Sequence, residues 1–328
     1  MKRRWFLTLS IFSVLVTATL ENRVMAAEKY PVKPITYISA VAAGDDADVL
    51  YRPLLQRASK ILGKPIMVVN KPGAGMTIGY RELLAAKPDG YTIGLTTGTS
   101  VSNKLQGLMP FDYHDFTIIG AYAVYVPIIV AGTKSSRPFK SIQEVISFAK
   151  ANPGEISIST SHVGGVWWIS TMYFQESTGL KFNIIPQTAG GALAIAQVAG
   201  GHTDLAVLAT GAAKSQIEAG NVRVLAVYGN KRFPGRYADI PTLKEAGYDI
   251  QFESTQMVVG PAKMPKDIAD QLVGVFKEAA THPDYVKYIE EQNAIPMYLT
   301  PEQTFKRLEE QRKIYRDIME KAGVLKEK

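Results

Sequence analysis

Cysteine is absent from the 328-residue sequence. Its absence excludes disulfides, thiolate metal ligands, thiol nucleophiles and a lipid-modified N-terminal cysteine. Histidine is scarce as well, and none of the four forms an H-E-x-x-H motif or another paired metal spacing. No G-x-S-x-G motif provides a hydrolase serine. We therefore expect no enzyme activity, no metal site and no cofactor.

Charge of one sign is not strongly enriched. The chain has 37 Lys and Arg against 30 Asp and Glu, and Lys2, Arg3, Arg4 and Arg23 supply much of the net charge of +7. No basic stripe with interleaved aromatic residues follows, so we expect no nucleic-acid partner. Hydrophobic residues make up 46% and charged residues 20% of the chain. These values and the length are typical of a globular protein of about two domains.

The first 26 residues have the pattern of an export signal. A basic start at residues 2–4 precedes the uncharged, apolar stretch 5–20, and Val24-Met25-Ala26 matches the small-x-small pattern of a cleavage site. The apolar stretch is short for a spanning helix, which needs about 20 residues. An uncleaved membrane anchor is the alternative. We predict a signal peptide over residues 1–26 and a mature chain in a bacterial periplasm.

Strand and helix patterns alternate along the rest of the chain. The predicted strands are 35–38, 65–69, 91–95, 128–130, 156–159, 182–185, 205–208 and 222–227. The predicted helices are 48–62, 76–86, 141–151, 167–177, 192–200, 266–280, 282–292 and 301–322. This alternation predicts an α/β fold with open, mostly parallel sheets faced by helices.

Three strand-to-helix turns consist mainly of small residues and are candidates for an anion site. Ligands of open α/β sheets collect at the carboxyl ends of strands, where helix N-termini present free backbone N–H groups. Small residues also form tight turns that bind nothing, and that alternative stays open for each turn. The candidate ligand-binding residues are Ala42, Ala43, Gly44, Asp45, Asp46, Thr97, Ser161, His162, Val163, Gly164, Gly165, Trp167, Thr188, Ala189 and Gly190.

The glycine-rich segment 70–79 follows a predicted strand and begins a predicted helix, as a dinucleotide-binding loop does. Its spacing is G-x-G-x-x-x-G, however, and the next strand ends at Leu95-Thr96 without an acidic residue for a ribose. The cluster of Asp45, Asp46 and Asp48 lacks the regular oxygen ligands of a calcium loop, so helix capping is the favoured interpretation. We therefore expect neither a dinucleotide nor a cation.

Short motifs in a fixed order extend from Tyr30 to about Gly323. They are Tyr30-Pro31, residues 33–35, Ala42-Ala43-Gly44 with Asp48, residues 69–75, residues 87–92, Thr178-Gly179, residues 186–191, Gly200-Gly201 with Asp204, residues 223–227 and residues 240–247. In this order the motifs resemble the periplasmic substrate-binding proteins of tripartite tricarboxylate transporters, the Bug-type receptors. The resemblance covers essentially the whole predicted mature chain.

The resemblance implies a two-domain, hinged receptor with the type II periplasmic binding fold, known as a Venus flytrap. Residues 27–126 with 253–328 would form domain 1 and residues 127–252 domain 2, with the ligand cleft between them. Such a receptor is expected to be a monomer that delivers a small organic carboxylate to the membrane permease subunits of the transporter. A receptor that signals to a membrane sensor is the alternative.

Two departures from the family pattern bear on the ligand. Asp45 and Asp46 stand where the family usually has a glycine and a small hydroxyl residue. Gly165, Trp167 and Trp168 stand where its second loop usually carries Ser or Thr before a His. We therefore predict a ligand with one carboxylate and either an aromatic ring or a donor group that faces Asp45 or Asp46. One of the two tryptophans is expected in the core and the other at the cleft.

A further expectation concerns Gly164 in the second turn. Replacing Gly164 by Asp would add a charge and a side chain where the backbone is expected to meet an anion. The Gly164→Asp variant is therefore predicted to lose ligand binding.

Overall fold

The computed structural model describes residues 30–188, 190–233 and 235–327. The predicted signal peptide of residues 1–26, and the membrane anchor that is its alternative, lie outside the described residues. Within the described ranges, no helix combines the length and the apolar character needed to cross a bilayer.

Eleven strands and ten α-helices are defined within these ranges. The strands are β1 (Ile35–Ser39), β2 (Ile66–Asn70), β3 (Thr92–Thr97), β4 (Phe116–Tyr125), β5 (Ile128–Gly132), β6 (Ser157–Thr160), β7 (Asn183–Pro186), β8 (Leu205–Leu208), β9 (Val222–Val227), β10 (Ser254–Pro261) and β11 (Ile295–Leu299). The helices are α1 (Asp46–Leu62), α2 (Thr77–Ala85), α3 (Thr99–Leu105), α4 (Ile142–Ala151), α5 (Val166–Thr178), α6 (Gly190–Ala199), α7 (Thr210–Glu218), α8 (Lys266–Thr281), α9 (Pro283–Glu291) and α10 (Pro301–Lys321). Every predicted element overlaps one of these, whereas α3, β4, α7, β10 and β11 were not predicted.

The strands form two mixed sheets. The first has the order β11-β4-β10-β3-β1-β2, with β1 parallel to β2 and β3, β10 antiparallel to β3 and β4, and β11 antiparallel to β4. The second has the order β7-β6-β8-β5-β9, with β6 parallel to β7 and β8, and β5 antiparallel to β8 and β9. The predicted α/β class is confirmed, but the sheets are mixed and not mostly parallel. Every antiparallel pair includes β4, β5 or β10, the strands at which the chain passes between the two sheets.

Each sheet draws its strands from a distinct part of the chain. Residues 35–125 and 254–299 supply the first sheet, and residues 128–227 supply the second. We call the part built on the first sheet the first lobe and the part built on the second sheet the second lobe. The chain passes from β4 to β5 through Val126-Pro127 and returns from β9 to β10 through residues 228–253.

Local sequence signals explain where the long helices begin and end. Ser141 caps α4 by accepting the backbone N–H of Glu144 at 3.2 Å. Thr300 and Gln303 form a reciprocal capping box at the start of α10. Gly63 ends α1 with a φ of 66°, in the left-handed region that glycine adopts without a steric penalty.

The central strands of the second sheet supply the rigid support for its turns. Every residue of β5 and of β8 is buried, and both strands consist almost wholly of Val, Ile, Leu and Ala. Continuous apolar runs of this kind are expected when helices cover both faces of a sheet. Burying each large aliphatic side chain stabilises the fold by about 1.5–3 kcal/mol. The turns after β6 and β7 are therefore held on a well-packed framework.

Candidate functional site

A cavity of about 90 Å³ lies where turns of the first lobe meet turns of the second. The first lobe contributes residues after β1 and β3 and on β10, and the second contributes residues after β6 and β7. The lining residues are Asp45, Asp46, Ala47, Met76, Thr97, Thr99, Tyr125, Ser161, His162, Gly165, Val166, Trp167, Gly190, Gly191, Ser254 and Gln256. The cavity is smaller than the ~300–1,000 Å³ of typical ligand pockets, so this arrangement of the lobes admits only a small molecule.

The three predicted turns all contribute to this cavity, although not with every predicted residue. The predicted residues that line it are Asp45, Asp46, Thr97, Ser161, His162, Gly165, Trp167 and Gly190. The predicted residues found elsewhere are Ala42, Ala43, Gly44, Val163 and Thr188, which are exposed, and Gly164, which is buried. Ala189 lies outside the described residues.

Polar groups of the first turn form hydrogen bonds with one another. Asp45 caps α1, and its Oδ1 accepts the backbone N–H of Ala47 at 3.2 Å. The backbone N–H of Gly44 donates to Asp48 Oδ2 at 3.1 Å. Helix capping therefore explains Asp45, as predicted, and the N–H of Gly44 is engaged within the turn instead of being presented to a ligand.

The side chain of Asp48 has a structural role. Its carboxylate accepts bonds from Arg52 at 2.6 and 2.9 Å, from the Asn70 amide at 3.2 Å and from the Tyr51 hydroxyl. Burial alone raises the pKa of Asp48, but the hydrogen bonds from Arg52, Tyr51, Gly44 and Asn70 outweigh it and lower that pKa to about 2. Asp48 thus ties α1 to β2 and stays ionised.

Asp46 extends across the cleft to the second lobe. A Cβ atom at Gly211, in the first turn of α7, would lie 2.7 Å from Asp46 Oδ1. Burial raises the pKa of Asp46 well above its usual value, and the neighbouring charge of Asp45 raises it further, against the lowering effect of the Ala212 backbone N–H. Burial likewise raises the pKa of Asp45. The surroundings of these two carboxyl groups in the cleft therefore disfavour their ionisation.

The second turn presents the start of α5. Ser161 Oγ accepts the backbone N–H of Trp168 at 3.0 Å, which leaves the Ser161 hydroxyl hydrogen available to donate. The N-cap Gly165 has no side chain, and a Cβ there would lie 2.5 Å from Ser161 Oγ. The N–H groups at the start of a helix have no partner inside the helix. The N–H groups of Val166 and Trp167 therefore occur beside the Ser161 hydroxyl, on the cavity lining.

His162 is held neutral at the same edge of the cavity. Burial lowers its pKa. Its Nε2 is buried and has no hydrogen-bond partner among the described residues. The Nε2 atom lies 3.2 Å from the position that a Cβ at Gly75 would occupy. The glycine-rich segment, interpreted above only as a rejected dinucleotide loop, therefore closes over His162 and brings Met76 to the cavity.

The two adjacent tryptophans have separate environments. Trp168 is 6% exposed and belongs to the core. Trp167 lines the cavity and packs edge-to-face on Tyr125, with ring centroids 6.5 Å apart. The Tyr125 hydroxyl in turn donates to the backbone carbonyl of Asp46 at 2.7 Å. The question that the sequence left open is thus answered, because Trp167 is the tryptophan at the cleft.

Several lining residues were not predicted. They are Ala47, Met76, Thr99, Tyr125, Val166, Gly191, Ser254 and Gln256. The Oε1 atom of Gln256 is buried without a partner among the described residues, while its Nε2 donates to Ser254 Oγ at 3.2 Å. Ser254 and Gln256 lie on β10, which carried no turn signal that could have identified them.

No group of three or more His, Cys, Asp or Glu side chains within the described ranges is arranged to hold a metal ion. A larger cavity of about 680 Å³ lies beside the crossing segments, lined among others by Tyr228, Phe233, Phe252 and Gln311. No residue of the three turns lines this larger cavity. The smaller cavity, where the helix starts converge, is therefore the candidate ligand site.

Comparison with known proteins agrees with this geometry. Residues 50–324 match the family model described as tripartite tricarboxylate transporter family receptor. A protein of Cupriavidus necator, the UPF0065 protein in gbd 5'region, is 31% identical over 301 residues, which cover 92% of this chain and 90% of that protein. The periplasmic binding protein BugD is 28% identical, with a TM-score of 0.80 over 91% of this chain and all of that one.

A third similar protein is R. palustris Rpa4515, solved with adipate. It is 25% identical to this chain and has a TM-score of 0.83 over 90% of this chain and 99% of that one. The family model alone covers most of the sequence. The chain therefore belongs to the tripartite tricarboxylate transporter family of receptors, which are periplasmic solute-binding proteins and not enzymes.

Proposed function

We propose that this receptor captures a small organic monocarboxylate by closing its two lobes over it, and delivers it to a tripartite tricarboxylate-type membrane permease. Residues 27–126 with 253–328 would move as one domain and residues 127–252 as the other, in a monomeric protein of the periplasm. The observation that carries the proposal is the cavity in which turns of both lobes meet. A ligand that touches both lobes stabilises the closed form through its additional contacts.

The start of α5 suits the carboxylate of such a ligand. The N–H groups of Val166 and Trp167 and the hydroxyl of Ser161 are donors on one side of the cavity. Donors at a helix N-terminus favour an anion through both hydrogen bonds and the helix dipole. His162 adds a neutral ring whose Nε2 has no partner among the described residues. A carboxylate bound here needs no lysine or arginine.

The opposite side of the cavity suits a donor group or a ring. Asp45 is an acceptor at the cavity, and Gln256 Oε1 is a second acceptor without a partner among the described residues. An ammonium or hydroxyl group on the ligand would satisfy both. Trp167 and Tyr125 form an aromatic corner next to them, on which a ring could pack edge-to-face.

Dicarboxylates fit this arrangement poorly. The similar protein Rpa4515 was solved with adipate, whose two carboxylates are both anionic. Here Asp45 and Asp46 line the cavity, and burial raises the pKa of both, so the surroundings disfavour a carboxylate anion. A second ligand carboxylate would meet the same desolvation cost, and no Lys or Arg among the described lining residues would offset it.

A matched set of six-carbon acids tests the proposal. Hexanoate has one carboxylate, 6-aminohexanoate adds an ammonium group and adipate adds a second carboxylate; benzoate and citrate extend the set. We expect 6-aminohexanoate or benzoate to raise the melting temperature most, since a ligand that binds only the folded state stabilises it. The Ser161→Ala variant should weaken every binder, and Asp45→Asn only those with an ammonium group. Tightest binding of adipate or citrate would contradict the proposal.

Delivery is tested separately in cells. Uptake of the labelled best binder should fall to background when the receptor gene is deleted, and should return with the wild-type gene but not with Ser161→Ala. Unchanged uptake in the deletion strain would show that the receptor does not feed a permease.

A further inference from the structure

We propose that Asp46 is a built-in substitute for a second ligand carboxylate, which occupies the start of α7 and thereby restricts the receptor to monocarboxylates. The inference rests on the proposed function and deepens it, because it assigns the restriction to one residue. It also gives the two neighbouring carboxylates different roles, since Asp45 faces the ligand whereas Asp46 faces the other lobe.

Helix α7 begins without a cap from its own sequence. Its N-cap residue is Ala209, which provides no side-chain hydrogen bond. The hydroxyl of Thr210 instead donates to the carbonyls of Gln292 and Asn293, at 3.1 Å each, on the first lobe. The backbone N–H groups of the first turn of α7 therefore require an acceptor from elsewhere.

Asp46 supplies that acceptor from the opposite lobe. Its Oδ1 lies so close to Gly211 that a Cβ there would be 2.7 Å away, and the backbone N–H of Ala212 acts to lower the pKa of Asp46. The other carboxylate oxygen is 3.7 Å from the position of a Cβ at Gly191, at the start of α6. Glycine at position 211 is thus what allows the carboxylate to reach the helix start.

The described residues around Asp46 include no compensating cation. Asp48, two residues along, pairs with Arg52 at 2.6 Å, but no Lys or Arg lies within 4 Å of the Asp46 carboxylate among the described residues. The half-buried carboxyl group of Asp46 lies instead at the start of α7, and helix starts are positions at which proteins also bind ligand anions. Asp46 thus occupies the position in which the second lobe would bind a ligand carboxylate.

The occupied start of α7 restricts which ligands the cleft can hold. A dicarboxylate whose first carboxylate binds at α5 would direct its second into the remaining part of the cleft. The start of α7 is already occupied there by Asp46, and the described lining residues include no Lys or Arg that could hold a second anion. A monocarboxylate places no second charge against Asp46 and leaves the contact between Asp46 and α7 intact.

Removing the Asp46 carboxylate should therefore create a dicarboxylate receptor. We expect Asp46→Ala, and Asp46→Ser as a second variant, to bind adipate at least tenfold more tightly than the wild type by calorimetry. Asp46→Asn keeps the shape and one acceptor at α7, so it should gain less. Asp45→Asn is the matched control, since it removes the same charge from the neighbouring residue without freeing α7. Unfolding curves establish that each variant folds.

The outcomes separate the two proposals. Adipate binding that does not improve in Asp46→Ala or Asp46→Ser, or that improves equally in Asp45→Asn, would overturn the role of Asp46. A wild-type protein that binds none of the monocarboxylates would instead refute the proposed function, whatever the Asp46 variants do. A second test uses Gly211→Ala, which should displace the Asp46 carboxylate and improve adipate binding. Gly274→Ala in α8 is the control, since its added Cβ meets nothing within 4 Å.

Discussion

Asp45, Asp46 and Asp48 show how strongly the surroundings of a residue determine its chemistry. The three lie within four positions of one helix start, yet each has a different partner. Asp45 accepts the N–H of Ala47, Asp46 faces α7 and Asp48 pairs with Arg52. Burial raises the pKa of the first two, whereas the hydrogen bonds to Asp48 lower its pKa to about 2.

Asp48 should make the fold sensitive to acid. Its pKa lies below the usual value of about 3.9 in an unfolded chain, so its contribution is complete above that pH and is lost as pH falls towards 2. We expect Asp48→Asn to lower the free energy of unfolding by about 2 kcal/mol at pH 7. In urea titrations the difference from the wild type should shrink at pH 3. A difference that stays constant with pH would contradict this role.

At the scale of secondary-structure elements, Gly164 connects the second turn to α3 and not to the cavity. It has a φ of 76°, and a Cβ there would lie 1.9 Å from Gln106 Nε2 at the end of α3. The predicted loss of binding in Gly164→Asp stays a prediction, but the structure gives it a different cause. Any side chain at this position, charged or not, would push the turn of the second lobe away from the first lobe.

A matched pair of glycine substitutions tests this cause. Gly154 has a similar φ of 83°, but a Cβ there would meet nothing within 4 Å. Gly154→Ala should therefore cost only the backbone strain of about 1–2 kcal/mol. We expect Gly164→Ala to lower the free energy of unfolding by clearly more than Gly154→Ala in urea titrations. Equal losses would show that the Gln106 side chain moves aside without a cost in free energy.

The elements that were not predicted lack a strong local sequence signal. Helices α3 and α7 span 7 and 9 residues and are rich in Thr, Ser, Gly and Lys, so they show little apolar periodicity. Strand β10 has polar residues at its start and Gly-Pro at its end, but lies buried between β3 and β4. Its strand conformation depends on pairing with segments more than a hundred residues away.

At the scale of the whole molecule, function depends on how the two lobes approach each other. The cavity exists only where both lobes contribute, and Asp46 and Gly164 each meet residues of the opposite lobe. The chain connects the lobes through Val126-Pro127 and residues 228–253. Movement about these connections would open and close the site.

Ligand binding should therefore compact the protein. We expect the radius of gyration from X-ray scattering to decrease when the best-binding acid is added, because ligand contacts to both lobes favour the closed form. Trp167 fluorescence should change in parallel, since this ring lines the cavity. A saturated complex with an unchanged radius would contradict domain closure.

The sequence by itself determined the family, the α/β class, the three turns and most of the helices and strands. These features are encoded locally, in turn residues such as Gly190 and in caps such as Asp45, or in the order of short motifs. Only the tertiary structure decided that Trp167 and not Trp168 faces the cleft, and that Asp46 meets α7 from the opposite lobe. Contacts between residues far apart in the chain depend on how the two lobes pack together, which no local pattern records.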